Sequence, residues 1–196
     1  MSLLPHHEET VCDPLGLGER SLAVRTSSVL VGVLALTLAS WISVPMVPVP
    51  ITMQTFAVTM IGALYGWRLG TLTILAWLGS ALLGFPVLAG SAGGIAPFIG
   101  PTAGYLLSFP IMAALVGWLA ERGWGGDRVA RSFLAHLAAN GLGLTIGGAW
   151  LAVLLGVQKG LSLGVAPFIL GAILKSALAA AVLKGVKTYG DKVRLI

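Results

Sequence analysis

Lys175 is the residue of this 196-residue chain best placed to do chemistry, because about ten residues of apolar sequence separate it from either end of the run 165–186. At a helical rise of ~1.5 Å per residue its ammonium would sit near the middle of a membrane span. A lysine there costs about 2.5–3.5 kcal/mol on insertion scales, so such a group faces a cavity, a partner charge or a ligand. No Asp or Glu lies inside any apolar run. The cation therefore suits a substrate carboxylate or a polar group in a wetted cavity, and the alternative is a lysine bonded to backbone carbonyls.

Asn140 and His136 stand four apart in another apolar run and share one helical face. An asparagine amide offers a donor and an acceptor and could bond an amide or urea; a bond between helices is the alternative. His136 reads more simply as a packed histidine. Gln54 and Thr55 follow Pro45-Met46-Val47-Pro48-Val49-Pro50, a stiff segment that would aim them inward, unless they serve as a helix cap. In Ala89-Gly90-Ser91-Ala92-Gly93-Gly94 the glycines could let backbone approach a ligand closely, or simply make a flexible loop.

Other chemistries find no support. Ala89 occupies the first glycine position of a G-x-S-x-G elbow, and no acid accompanies Ser91 in the membrane, which argues against a serine hydrolase. Lys175-Ser176 follows Leu174 rather than glycine, so the phosphate-binding G-x-x-x-x-G-K-[ST] loop is missing and ATP hydrolysis by this chain is not expected. His6, His7, Glu8 and Glu9 could hold a metal only weakly, and the single cysteine, Cys12, makes neither a disulfide framework nor a Cys-based metal site. Neither a metal nor a cofactor is expected.

The elements that must position these residues follow from composition. Hydrophobic residues make up 57% and charged residues 10%, against roughly one-quarter charged in a soluble domain. A chain of this size cannot enclose so much apolar surface in water, whereas lipid accepts it as an outer face. The net charge of +5 does not indicate nucleic acid, since Lys and Arg punctuate the apolar runs instead of gathering on one solvated face. Six runs emerge, near 26–44, 51–66, 69–85, 101–120, 130–156 and 165–186. The second and third are short, yet the break at Gly66-Trp67-Arg68 suits a membrane interface and favours two helices with a tight turn. The expected fold is an all-α polytopic membrane protein with six transmembrane helices in one domain, 26–196, behind a flexible cytoplasmic leader, 1–25, that lacks the pattern of a cleaved signal.

With six spans, ten of the twelve Lys and Arg residues fall on one side, Lys159 in an opposite loop and Lys175 within a span. The positive-inside rule then makes both termini cytoplasmic, in the inner membrane. The outward connections, 44–50, 84–100 and 156–167, are apolar or rich in Gly and Pro, and read as lids over a pocket or as surfaces against lipid. No internal repeat stands out. Ala35 and Ala39 form a small-xxx-small pair suited to a close helix contact, within the bundle or with another membrane protein.

From Val49 to Glu121 the segments VPITMQTFAVTMIGALYGWRLG and GFPVLAGSAGGIAPFIGPTAGYLLSFP closely resemble the BioY family of biotin transporters, and the likeness continues through Asn140, Gly147 and Trp150 into PFILGAILKSALAAAV at 167–182. The chain departs from that family's pattern at Ala172, where P-F-x-x-G-D-x-x-K has an acid, and at Ala103 and Ser108, where glycine is usual. Loss of the acid removes an internal counter-charge for Lys175. The resemblance implies the S-component fold of an energy-coupling-factor (ECF) transporter that captures biotin from outside. It also implies a membrane coupling protein met through Ala35 and Ala39, and two cytoplasmic ATPases. Within it, Lys175, Asn140, Gln54, Ser91, Tyr105, Thr102 and Gly93 are the implied ligand contacts. An S component for another small anionic vitamin is the first rival. The second is an intramembrane enzyme using His136 or Lys175, for which no nucleophile and base stand at helical spacing.

Overall fold

The structure, a computed structural model, describes residues 21–194, with side chains described through Gly190. His6, His7 and Cys12, and with them the weak metal expectation, lie outside the described residues. Helix α1 spans Leu22–Trp41, earlier at both ends than the run 26–44. It stops where the proline-rich segment begins, because prolines lack an N–H and bias their predecessors toward extended backbone. The chain there makes a two-residue hairpin instead, β1 (Ser43–Val44) against β2 (Ile51–Thr52), with Ser43 opposite Thr52 and Val44 opposite Ile51. The second run therefore opens as a strand, and its helix starts only at Gln54.

Helix α2 covers Gln54–Leu82 but is not straight. Gly66 has φ +75° and ψ 171°, a combination essentially confined to glycine. Gly62 and Gly70, eight positions apart, touch across the break: a Cβ built on Gly70 would lie 3.0 Å from Gly62 Cα. On a continuous helix those positions would be ~12 Å apart. The two short runs are thus two helices folded back on each other, with the turn at Gly66 as the sequence predicts. Helix α4 (Ala103–Glu121), introduced by the single turn α3 (Ala96–Ile99), packs into this hairpin. At Gly117 a Cβ would lie 2.5 Å from the Trp67 backbone nitrogen, so the two chains meet backbone to backbone.

Helix α5 (Val129–Leu155) lies on the other side of α4 and ends at Gly156, φ +89°. A short helix α6 (Val157–Lys159) and a π-helical turn (Gly160–Val165) fold back on α5 and lead into α7 (Ala166–Arg194). Five stretches among the described residues are long and apolar enough to cross a membrane, and the break in α2 makes six crossing segments of them. Leu30, Leu34, Leu107, Ile111, Leu170 and Leu174 point outward, as they would toward lipid tails. Tyr65 donates to the Ser28 carbonyl at 3.0 Å, Trp67 N–H to Glu121 Oε1 at 3.0 Å, and Lys187 lies 3.7 Å from Asp127. The start of α1, the Gly66 turn, the α4–α5 connection and the end of α7 therefore share one rim.

Gly66→Ala would put a Cβ 2.6 Å from Glu121 Oε1 and hold an alanine at positive φ. The strain is of order 1–3 kcal/mol. At about 2–4 °C per kcal/mol for a chain of this length, the melting temperature in detergent should fall by roughly 2–12 °C. A variant that melts with the unaltered protein would show that the turn does not depend on glycine.

Candidate functional site

At the rim opposite the Gly66 turn the helices enclose a cavity of about 270 Å³, at the small end of ligand sites (~300–1,000 Å³). Two connections cover it. Val49, Pro50 and Thr52 come from the hairpin, and Leu88, Ala89, Ala92, Ala96 and Pro97 from the long segment between α2 and α4. Below them Gln54 and Thr55 of α2, Phe109 and Met112 of α4, Asn140 and Leu144 of α5, and Phe168, Ala172 and Lys175 of α7 form the wall. The apolar connections that the sequence left open between pocket lids and lipid surfaces thus divide. The first two roof the cavity, and none of residues 156–167 lines it.

Lys175 Nζ reaches across from α7 and donates to Thr55 Oγ1 at 3.2 Å. An ammonium has three donors, so two are left for the cavity. No acidic residue lines the wall, and Ala172, one turn before Lys175, contributes a methyl group. Asn140 uses its amide nitrogen twice, donating to the His136 carbonyl at 3.0 Å and to Ser176 Oγ at 3.0 Å. With both donors committed, its carbonyl Oδ1 keeps its acceptor capacity. Gln54 Nε2 donates to Ser40 Oγ at 3.1 Å, and its Oε1 accepts from Thr52 at 3.1 Å. Tyr105 gives its hydroxyl to the Gly164 carbonyl at 2.5 Å, and Thr102 to the Pro97 carbonyl at 2.9 Å. A cation, an amide acceptor and aromatic and aliphatic walls in one cavity can hold a small anion with an apolar body and a hydrogen-bonding head.

The long cover is fastened by tryptophans on three helices. Trp41 of α1 donates its indole N–H to the Pro86 carbonyl at 3.3 Å, Trp77 of α2 to Val87 at 3.2 Å, and Trp150 of α5 to Gly100 at 2.9 Å. Glycines make room for this. A Cβ on Gly104 would run into the Trp150 side chain, and one on Gly147 into the Tyr105 ring. Both ends of the cover are therefore pinned to the bundle, and Leu88–Pro97 lies between the pins.

Of the residues expected from sequence, Gln54, Thr102, Tyr105, Asn140 and Lys175 converge on the cavity. Ser91 and Gly93 do not line it. Ser91 ends a 3₁₀ turn, at φ +56°, and is exposed on the outer side of the cover, and Gly93 packs against the cover's own Gly84 and Phe85 carbonyls. What the glycine-rich segment brings to the cavity is instead the methyl groups of Ala89 and Ala92. Ala35 faces outward on α1 while Ala39 is buried against the bundle. His136 is fully buried away from the cavity wall, and neither ring nitrogen has a partner among the described residues. The Lys175–Thr55 bond and the three indole bonds were not anticipated. They join positions up to 120 apart and three of them end on backbone carbonyls, so residue type gives no signal for them.

The BioY family model matches residues 18–192. The probable biotin transporter BioY of Pyrococcus horikoshii is 42% identical over 138 residues, 70% of this chain and 80% of that protein. The biotin transporter BioY of Thermotoga maritima is 33% identical, over 74% of this chain and 85% of its own length, and that of Rhizobium etli 35% identical, over 76% and 83%. The fold matches a 2.1 Å crystal structure of the S-component for biotin from an ECF-type ABC transporter with a TM-score of 0.72 at 23% identity, covering 86% of this chain and 95% of that one.

Trp150→Phe keeps the ring but removes the donor to Gly100. One such hydrogen bond is worth about 0.5–1.5 kcal/mol, so exchange of the amides of Ala96 and of residues 98–100 should quicken by roughly two- to thirteenfold. Unchanged exchange would mean that the cover is held without this tryptophan.

Proposed function

We infer the function from kinship, since this chain belongs to the BioY family, and propose that it takes up biotin across the cytoplasmic membrane from the outer side. The observation that carries the binding mode is an ammonium in an apolar cavity whose wall contains no carboxylate. Biotin brings the missing charge as its own carboxylate, and we assign that group to Lys175. Its ureido N–H groups need an acceptor, which Asn140 Oδ1 supplies, and its ring system and aliphatic chain suit Phe109, Leu144 and Phe168.

The rim with the Gly66 turn carries Arg25, Arg68, Arg122, Arg128, Arg131, Lys184 and Lys187, whereas Lys159 lies in the α5–α7 connection at the other end of those helices. By the positive-inside rule this supports a cytoplasmic Gly66 rim, with both termini there, and a cavity covered from outside. As partners we propose an ECF membrane coupling protein, meeting α1 at the outward-facing Ala35, and two cytoplasmic ATPases that use the ATP. No cofactor is assigned to the chain itself.

Equilibrium binding of radiolabelled biotin to the purified chain in detergent tests the reading. Lys175→Ala should weaken binding by roughly ten- to a hundredfold, as expected for loss of a charge-assisted bond of about 1.5–3 kcal/mol. Binding as tight as that of the unaltered protein would rule out the role given to the lysine. Ala172→Asp should leave affinity unchanged or raise it, because an acid three residues before Lys175 shares its helical face and adds an acceptor at the cavity wall. A large loss would count against the proposed pose. Absence of any biotin binding by the unaltered chain would overturn the function itself.

A further inference from the structure

Three arginines stack on three indoles along the Gly66 rim. The guanidinium carbon of Arg122 lies 3.6 Å from the Trp118 ring centroid, that of Arg68 5.2 Å from Trp67, and that of Arg131 6.0 Å from Trp124. They belong to the turn of α2, the end of α4 and the start of α5, and α4 packs between the other two, so the stacks follow one another around the bundle. The backbone contact of Gly117 with Trp67 brings the first two to the same corner.

Among the described residues, no carboxylate neutralises this arc. The two acidic side chains described are otherwise engaged, Glu121 with the Trp67 N–H at 3.0 Å and Asp127 with Lys187 at 3.7 Å, and among the described residues none of the three arginines has a carboxylate within 4.0 Å. Arg128 and Arg131 add positive charge at the start of α5, where the helix dipole disfavours it. A guanidinium over an indole still has N–H donors to offer an anion. Arg122 spends one of them on the Trp118 carbonyl at 3.4 Å.

Trp67 is 40% and Trp118 44% exposed, as indoles at the headgroup level of a bilayer are. Above Trp118, Ile111 and Leu107 continue an exposed apolar stripe along α4 at helical spacing. A polar anion at the rim with a hydrocarbon tail along the helix answers both features, where a free phosphate answers only the first. We propose that this arc binds the phosphate of an anionic diacyl phospholipid in the adjacent leaflet, centred on Arg122 and Arg68, with the acyl chains along α4.

Native mass spectrometry of the full chain with equal phosphatidylglycerol and phosphatidylcholine in detergent tests this. The unaltered protein should retain phosphatidylglycerol preferentially, and each Arg→Gln change at 68, 122 and 131 should lower that preference by about fivefold. Arg122→Lys, which keeps the charge but loses the guanidinium's fork of donors, should fall between. The melting temperature in lipid-free detergent should not change, which separates lost lipid recognition from lost fold. If the triple variant does not fold, Arg122→Gln alone decides. Undiminished preference in these variants overturns the site. So does preference abolished by millimolar inorganic phosphate, which would mark a site for the free ion.

Discussion

An ammonium nine residues into α7 cannot face hydrocarbon, and much of the bundle is arranged around that constraint. Lys175 has to point inward, so the helices opposite must leave space, and the space must hold oxygen. Thr55 supplies one acceptor from the other side of the bundle. The small side chain of Ala172, one turn before Lys175, keeps α7 from filling the cavity near it. Space in one half of the bundle is offset by tight contact in the other. At Gly62, Gly70 and Gly117 the hairpin and α4 touch through backbone, which lets six short segments pack without large side chains between them.

The cover meets a related constraint. Irregular backbone at membrane depth exposes N–H and C=O groups that lipid cannot satisfy. The three tryptophans answer it from the side of the carbonyls, since an indole has a donor and no acceptor. Their acceptors lie at Pro86, Val87 and Gly100, the two ends of the cover, where the chain leaves and rejoins helix. Between these points the cover is held by bonds such as Gly94 N–H to the Ala81 carbonyl at 2.7 Å and Leu88 N–H to Ala92 at 3.1 Å.

Much of this was legible in the sequence because lipid leaves few choices. Runs of apolar residues become helices, and a Gly-Trp-Arg break becomes a turn at the interface. Where the reading slipped, a local rule had been outweighed. The Pro45–Pro50 segment did more than end a helix, since it returned the chain as a hairpin and delayed α2 to Gln54. The glycines near Ser91 looked like room for a ligand, yet Gly93 yields its room to the cover's own carbonyls and Gly90 to a left-handed turn. Tyr105 and Thr102 were expected at the cavity and line it, but both hydroxyls are turned to backbone carbonyls, so they shape the wall more than they offer polar contacts.

Asn140 shows why residue type alone could not separate a ligand contact from helix glue. The two roles looked like alternatives because both call for an amide in the membrane. In the structure the nitrogen is committed to helix contacts, which leaves the oxygen for the ligand role proposed for it. The nitrogen is consumed in holding α5 to Ser176 of α7, and Ser176 in turn is oriented by its bond to the Ala172 carbonyl at 2.7 Å. That fixes the plane of the amide, and a fixed plane fixes the direction of Oδ1. The carbonyl is pre-organised because the nitrogen is structural, and an acceptor already held in place costs a ligand less ordering entropy than one that must be recruited. The same turn of α7 carries Lys175. The asparagine–serine contact thus ties α5 to α7 beside both polar groups of the cavity.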